Sequence, residues 1–200
     1  MLRVGLTGGY ATGKSSVASE LEKRGCSLIY ADRLGHEVMA PGGPAYAPIV
    51  EQFGPGILDE NAAIDRKRLA ALVFGDEQLL ERLNAIVHPA VFVREEALQA
   101  EFVARDPHAI VVMESAILIE TGRYKTFDRL ILTTCSESLQ VARGMKRDGL
   151  TRSEVLKRIR NQMPLDEKKK FAHFVIDTTG SKTETAAQVD AVYQSLKSLA

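Results

Sequence analysis

Eight residues near the amino terminus, Gly8-Gly9-Tyr10-Ala11-Thr12-Gly13-Lys14-Ser15, carry the glycine, lysine and hydroxyl spacing of a phosphate-binding loop. Glycines let the backbone curl so that successive N–H groups face one anion, and a helix beginning at the loop adds its positive end. Lys14 offers a point charge to the outer phosphates of a nucleotide, and the Ser15 hydroxyl is a hard oxygen suited to Mg²⁺. The candidate nucleotide-binding residues are therefore Gly8, Ala11, Thr12, Gly13, Lys14, Ser15 and Ser16.

Other residues have types that could act on a bound nucleotide. Asp32 follows an apolar run in Tyr30-Ala31-Asp32-Arg33. A carboxylate there can orient an acceptor hydroxyl and take its proton, or it can cap a helix over Arg33–Met39. Arg143 and Arg147 are four apart and share a helix face, as do Arg158 and Gln162. They can neutralise charge on a transferred phosphoryl group or form an ordinary solvated face. Glu114 and Ser115 end an apolar run where a metal-directed or a structural carboxylate would fit. His88-Pro89 reads as an acceptor contact or a helix end.

Positioning these groups requires alternating strands and helices. Apolar or β-branched runs occur at Arg3–Thr7, Ser27–Tyr30, Ala109–Met113 and Arg129–Thr133, with a fifth at Phe174–Asp177. Helical patterns separate them, so the expected fold is α/β: a five-stranded parallel sheet of P-loop NTPase type, with helices on both faces. The first helix should stop near Arg24, at Gly25. Residues 54–107 show helical spacing without a strand, with Asp65 as a cap and a break expected at Pro89. This segment is the expected acceptor-binding insert. Glu137–Asp148 and a helix opened by the capping box Thr151–Glu154, joined at Asp148-Gly149-Leu150, form an expected lid over 136–171. Ser181–Glu184 opens the last helix. The core is then 1–53, 108–135 and 172–200 of a single domain.

Two hundred residues, 45% of them hydrophobic, suit a domain of that size. Net charge is zero, which gives no overall bias toward nucleic acid or membrane. Between Arg143 and Lys170, however, ten Lys/Arg face four Asp/Glu, a local cationic excess within the expected lid. Cys26 and Cys135 lack metal-ligand spacing and read as buried reduced thiols. No leader pattern is visible, and Ala109–Met113 is too short to span a bilayer. The expected setting is the cytoplasm, and the expected state is a monomer.

Taken together, these residues resemble the dephospho-coenzyme A kinase family along nearly the whole chain. Gly5-Leu6-Thr7-Gly8-Gly9 with Gly13-Lys14-Ser15 is similar to the family's opening motif, and Tyr30-Ala31-Asp32 to its Asp-Ala-Asp. Ile64-Asp65-Arg66 through Leu69 and Phe74 leads to the His-Pro at His88-Pro89. Glu114 to Glu120 resembles the loop after the third strand, and Arg158 to Gln162 the Arg-x-x-x-Gln helix. Ala172 to Gly180 resembles the last strand and its adenine-side loop.

The resemblance implies transfer of the γ-phosphoryl group of ATP to the ribose 3′-hydroxyl of dephospho-coenzyme A, with Mg²⁺ at Ser15. It implies Asp32 as base or orienting carboxylate, Lys14 on the phosphates, and Arg143 as lid arginine supported by Arg147. Thr7, Arg66, His88 and Glu114 fall on the acceptor side. Three departures stand out: Tyr30 replaces the first Asp, Tyr10 and Ala11 replace smaller residues or Gly, and Asp177-Thr178-Thr179 replaces an Asn-containing loop. At Ala11 only a modest φ is expected. The rival readings are another small-molecule kinase of this fold and a nucleotide-dependent switch. The chain has no Asn-Lys-x-Asp guanine motif for the latter.

Overall fold

The computed structural model of the chain describes residues 1–73 and 75–200; Phe74, part of the resemblance, lies outside the described residues. Five parallel strands form: β1 (Leu2–Gly8), β2 (Ser27–Tyr30), β3 (Ile110–Glu114), β4 (Arg129–Thr134) and β5 (Phe174–Asp177). Their order is β2-β3-β1-β4-β5, with β1 central. Val4, Leu6, Val112, Ile131 and Leu132 are fully buried, as unbroken apolar runs in a two-sided parallel sheet require. From β1 the chain crosses to one side of the sheet, and from β3 it returns to the other. The loops after β1 and β3 thus flank the switch point at which open α/β sheets bind ligands.

The chain divides into two compact units, residues 1–29 with 102–200 and residues 30–101. The first holds the sheet, covered by α1 (Lys14–Lys23) and α9 (Lys182–Lys197), which pack on each other. It also holds α6 (Glu137–Asp148), α7 (Arg152–Arg160) and the short α8 (Leu165–Lys169). Both predicted capping boxes are present: Thr151 N–H donates to Glu154 Oε2 at 2.8 Å, and Ser181 N–H to Glu184 Oε2 at 2.6 Å. Gly149 ends α6 at φ 67°, as expected of a C-cap glycine.

The second unit is helical: α2 (Ala31–Met39), α3 (Tyr46–Phe53), α4 (Arg66–Val73) and most of α5 (Glu77–Arg105). It begins at Tyr30, the last residue of β2, whereas the insert was expected from residue 54, because Val38 and Ile49 join Ile57 and Leu69 in one apolar cluster. Asp65 starts α4, accepting from the N–H groups of Lys67 and Arg68 at 2.8 and 3.2 Å. The expected break at Pro89 does not occur, and α5 runs through it for 29 residues. One backbone N–H is lost there. Leu83, Ile86 and Val87 before the proline and Ala90 and Val91 after it all pack on the same cluster. That burial on both sides offsets a local cost of about 3 kcal/mol.

Within the basic run Lys168 is no part of a solvated face, because its side chain is fully buried. Its ammonium pairs with Glu120 Oε1 at 2.7 Å and donates to Ala116 O at 2.8 Å. Glu120 Oε1 also accepts from Met163 N–H at 3.2 Å, so one ion pair ties the loop after β3 to the segment that closes α7. Lys168→Ala is expected to lower unfolding free energy by about 2–4 kcal/mol, because it strands Glu120 and opens a cavity. Lys168→Met should cost less. Urea unfolding of the two variants measures the difference.

Candidate active site

The strand-to-helix turn at residues 8–14 is built by close packing. A Cβ on Gly8 would collide with Thr133 Oγ1 and lie 2.6 Å from Thr12 Oγ1, so only glycine lets the turn approach β4. Thr12 Oγ1 donates to Gly9 O at 2.8 Å and lies 2.8 Å from Thr133 Oγ1. Gly13, at φ 86°, precedes α1, and no side chain caps the helix, which leaves its positive end to an anion. Lys14 Nζ sits over the turn, donating to Gly9 O at 2.9 Å and Gly8 O at 3.3 Å. Ser15 and Ser16 are exposed on the first turn of α1.

Ala11 departs from the modest φ expected of it. At φ 56° it occupies the left-handed region, which costs a non-glycine residue about 1 kcal/mol. Such strain is found where surrounding contacts over-determine the backbone. The neighbouring Tyr10 supplies those contacts, with its N–H donating to Gln162 Oε1 and its carbonyl accepting from Gln140 Nε2, each at 2.6 Å. Gln162 lies beyond the end of α7 and so does not share a helix face with Arg158 as the spacing suggested. Gln140 was not singled out by sequence; its signal would have been a polar residue on the inner face of α6.

The two arginines expected in the lid, Arg143 and Arg147, go to different places. Arg143 donates to Thr178 Oγ1 at 2.8 Å and Thr178 O at 2.6 Å, on the loop after β5. The buried Thr178 hydroxyl in turn lies 2.8 Å from Thr12 O, so this loop braces the phosphate turn. Arg147 lies over the Tyr10 ring and pairs with Asp148, Nε to Oδ1 at 2.7 Å. Thr7 Oγ1, at the root of the turn, is buried with no hydrogen-bond partner among the described residues. A cavity of about 660 Å³ opens beside Gly9 at the carboxyl ends of β4 and β5, lined by Cys135, Gln140, Gln162 and Asp177. Cys26 and Cys135 are buried as expected. Burial pushes the Cys26 thiol up to about 12 and raises Cys135 against the opposing charge of Arg143.

In the helical unit, Asp32 is the second residue of α2, and Tyr30, not Asp32, holds the N-cap position. The carboxylate is therefore not used as a cap. It is exposed in the first turn of α2. His36 lies one turn further along α2, and its Nε2 meets Arg66 Nη1 from the start of α4. Tyr30 holds its ring 4.1 Å from the Arg33 guanidinium carbon. His88 is exposed inside α5, not at a helix end, with its ring 6.3 Å from Phe92. In the sheet unit, Glu114 ends β3 in register with Leu6.

Arg147 foremost, and then the Tyr10 hydroxyl, hold Asp148 down at about 2. A carboxylate depressed in the folded state adds stability that is present above its unfolded value of about 3.9 and is lost as pH falls through about 2. Wild-type melting temperature should therefore fall more steeply between pH 4 and pH 2 than that of Asp148→Asn. Thermal melts across that window measure the difference in slope.

A family model described as dephospho-CoA kinase matches residues 2–184. Among curated relatives, a dephospho-CoA kinase of Shouchella clausii is 43% identical over 94% of this chain and 95% of its own. That of Syntrophus aciditrophicus is 41% identical over 98% of this chain and 83% of its own. A crystal structure from Thermus thermophilus superposes with a TM-score of 0.84 at 33% identity, covering 100% of this chain and 98% of that one. With its phosphate-binding turn on the central strand of a five-stranded parallel sheet, this chain belongs to the dephospho-CoA kinase family.

Proposed function

We propose that Lys14, Asp32, Arg143 and Arg147 carry the reaction of this ATP-dependent kinase, transfer of the γ-phosphoryl group of ATP to the ribose 3′-hydroxyl of dephospho-coenzyme A. The products are coenzyme A and ADP, which makes this the last step of coenzyme A synthesis. The observation that carries the reading is the uncapped helix start behind Gly13, with the Lys14 ammonium folded over the same turn. Backbone amides and ammonium there cradle the β- and γ-phosphates.

Asp32 orients the acceptor hydroxyl and takes its proton as oxygen attacks the γ-phosphorus and the β–γ bridging bond breaks. Its exposed position in the first turn of α2, outside the N-cap, supports that role. Arg143 and Arg147 supply positive charge toward the phosphoryl group from α6. Thr7, with its unpartnered hydroxyl, and Glu114 stand at the ends of β1 and β3. Arg66 and His88 contribute acceptor contacts from the helical unit.

Ser15 is the residue that would hold Mg²⁺. Its exposed hydroxyl is a hard oxygen, and no group of three or more His, Cys, Asp or Glu could form a protein cage among the described residues. That donor set fits an ion carried mainly by substrate phosphates, whose charge it would offset. No helix among the described residues is long and apolar enough to cross a membrane. The reading has the chain working as a cytoplasmic monomer on small molecules, not on nucleic acid.

Acceptor-dependent ADP release tests the assignment, with dephospho-coenzyme A, AMP, CMP and gluconate compared and the product identified by mass. Turnover confined to dephospho-coenzyme A is expected; turnover with another acceptor overturns the substrate. Asp32→Asn should lower kcat by roughly 10²-fold with little change in KM, whereas a change in KM alone would demote Asp32 to a binding residue. Lys14→Ala should lower kcat and raise the KM for ATP together. Steady-state kinetics with both substrates varied separates these outcomes.

A further inference from the structure

Phosphate binding by backbone amides requires no aromatic side chain, yet the turn carries Tyr10. The ring lies beneath two guanidinium groups, with Arg147 Cζ 5.0 Å and Arg158 Cζ 5.6 Å from its centroid. The Tyr10 hydroxyl donates to Asp148 Oδ2. Asp148 also pairs with Arg147 and lies 3.6 Å from Arg158 Nη1. Two like charges that would otherwise repel are thus held side by side by one carboxylate and one shared π-face.

Gly144 gives an independent sign that the ring belongs there. Glycine inside a helix costs about 1 kcal/mol relative to alanine. A Cβ at this position in α6 would come within 2.6 Å of the Tyr10 ring and 3.0 Å of Val155 Cγ1. The helix therefore carries a local penalty at the point where the ring must fit. The phenol is also kept protonated: burial first, and then its bond to Asp148, raises it above its ordinary value.

We propose that Tyr10 is a positioning residue that fixes Arg147 and Arg158 over the phosphate turn before the nucleotide arrives. An unrestrained arginine must lose rotamer freedom each time it meets a phosphate, whereas one seated on a ring and a carboxylate has already lost it. Tyr10 touches no reacting atom in this role; it acts through the arginines. The inference rests on the reading that these arginines serve the triphosphate of ATP.

A double-mutant cycle with ATP, Mg²⁺ and dephospho-coenzyme A tests it. Tyr10→Leu should lower kcat about tenfold, and Tyr10→Phe, which keeps the ring, should recover most of that loss. In a chain already carrying Arg147→Ala and Arg158→Ala, Tyr10→Leu should change kcat by no more than about twofold. Gly144→Ala, which displaces the ring without altering it, should reproduce the loss and its disappearance in that background. It also decides the question if Tyr10→Leu does not fold. Additive losses in the cycle, or an unchanged kcat for Gly144→Ala, overturn the proposal. If the arginine substitutions leave kcat unchanged, the role proposed for Arg147 falls and this inference falls with it. If they lower kcat and Tyr10→Leu does not, the inference alone fails.

Discussion

The phosphate turn depends on the close approach of its backbone to β4. Gly8 has no room for a Cβ beside Thr133, and the Thr12 hydroxyl closes the gap from above. Thr178 reaches the carbonyl of Thr12 from the loop after β5, and Arg143 holds Thr178. The turn is therefore fixed by β4, the loop after β5 and α6, all beyond its own sequence. This matters chemically, because an anion cradle made of backbone amides works only if the amides do not have to reorganise when charge arrives.

The same economy governs the helices above the turn. Gln140 and Gln162 bind the two backbone groups of Tyr10, and Lys168 anchors the following segment to the loop after β3 through Glu120. The basic stretch thus has distinct parts. Lys168 is a buried strut, Arg143 braces a loop, and Arg147 and Arg158 share the Tyr10 ring with Asp148. Buried ionic groups of this kind contribute little net stability but fix geometry where a partner is specified.

The helical unit shows the opposite balance, with packing overriding local chemistry. Proline normally ends a helix, but α5 passes through Pro89 because apolar residues on both sides face the cluster of Val38, Ile49, Ile57 and Leu69. That cluster also gathers α2 and α3 into the helical unit, which begins at Tyr30, the last residue of β2. A pattern read residue by residue registers the missing N–H and the helix starts. It does not register which faces share a core.

Local rules determined the strands, the capping boxes and the phosphate motif, because each is set by residues a few positions apart: apolar runs for β1–β5, Thr151 with Glu154, Gly8 through Ser15. The family was legible for the same reason, as the order of short motifs. Contacts between positions far apart in the chain were decided only by the tertiary structure. These include the burial of Lys168 against Glu120, the reach of Arg143 to Thr178, the left-handed φ of Ala11 and the seat of Tyr10 against Gly144. Their energies come from desolvation and close packing, which depend on what surrounds a side chain in space and leave no periodic trace along the sequence.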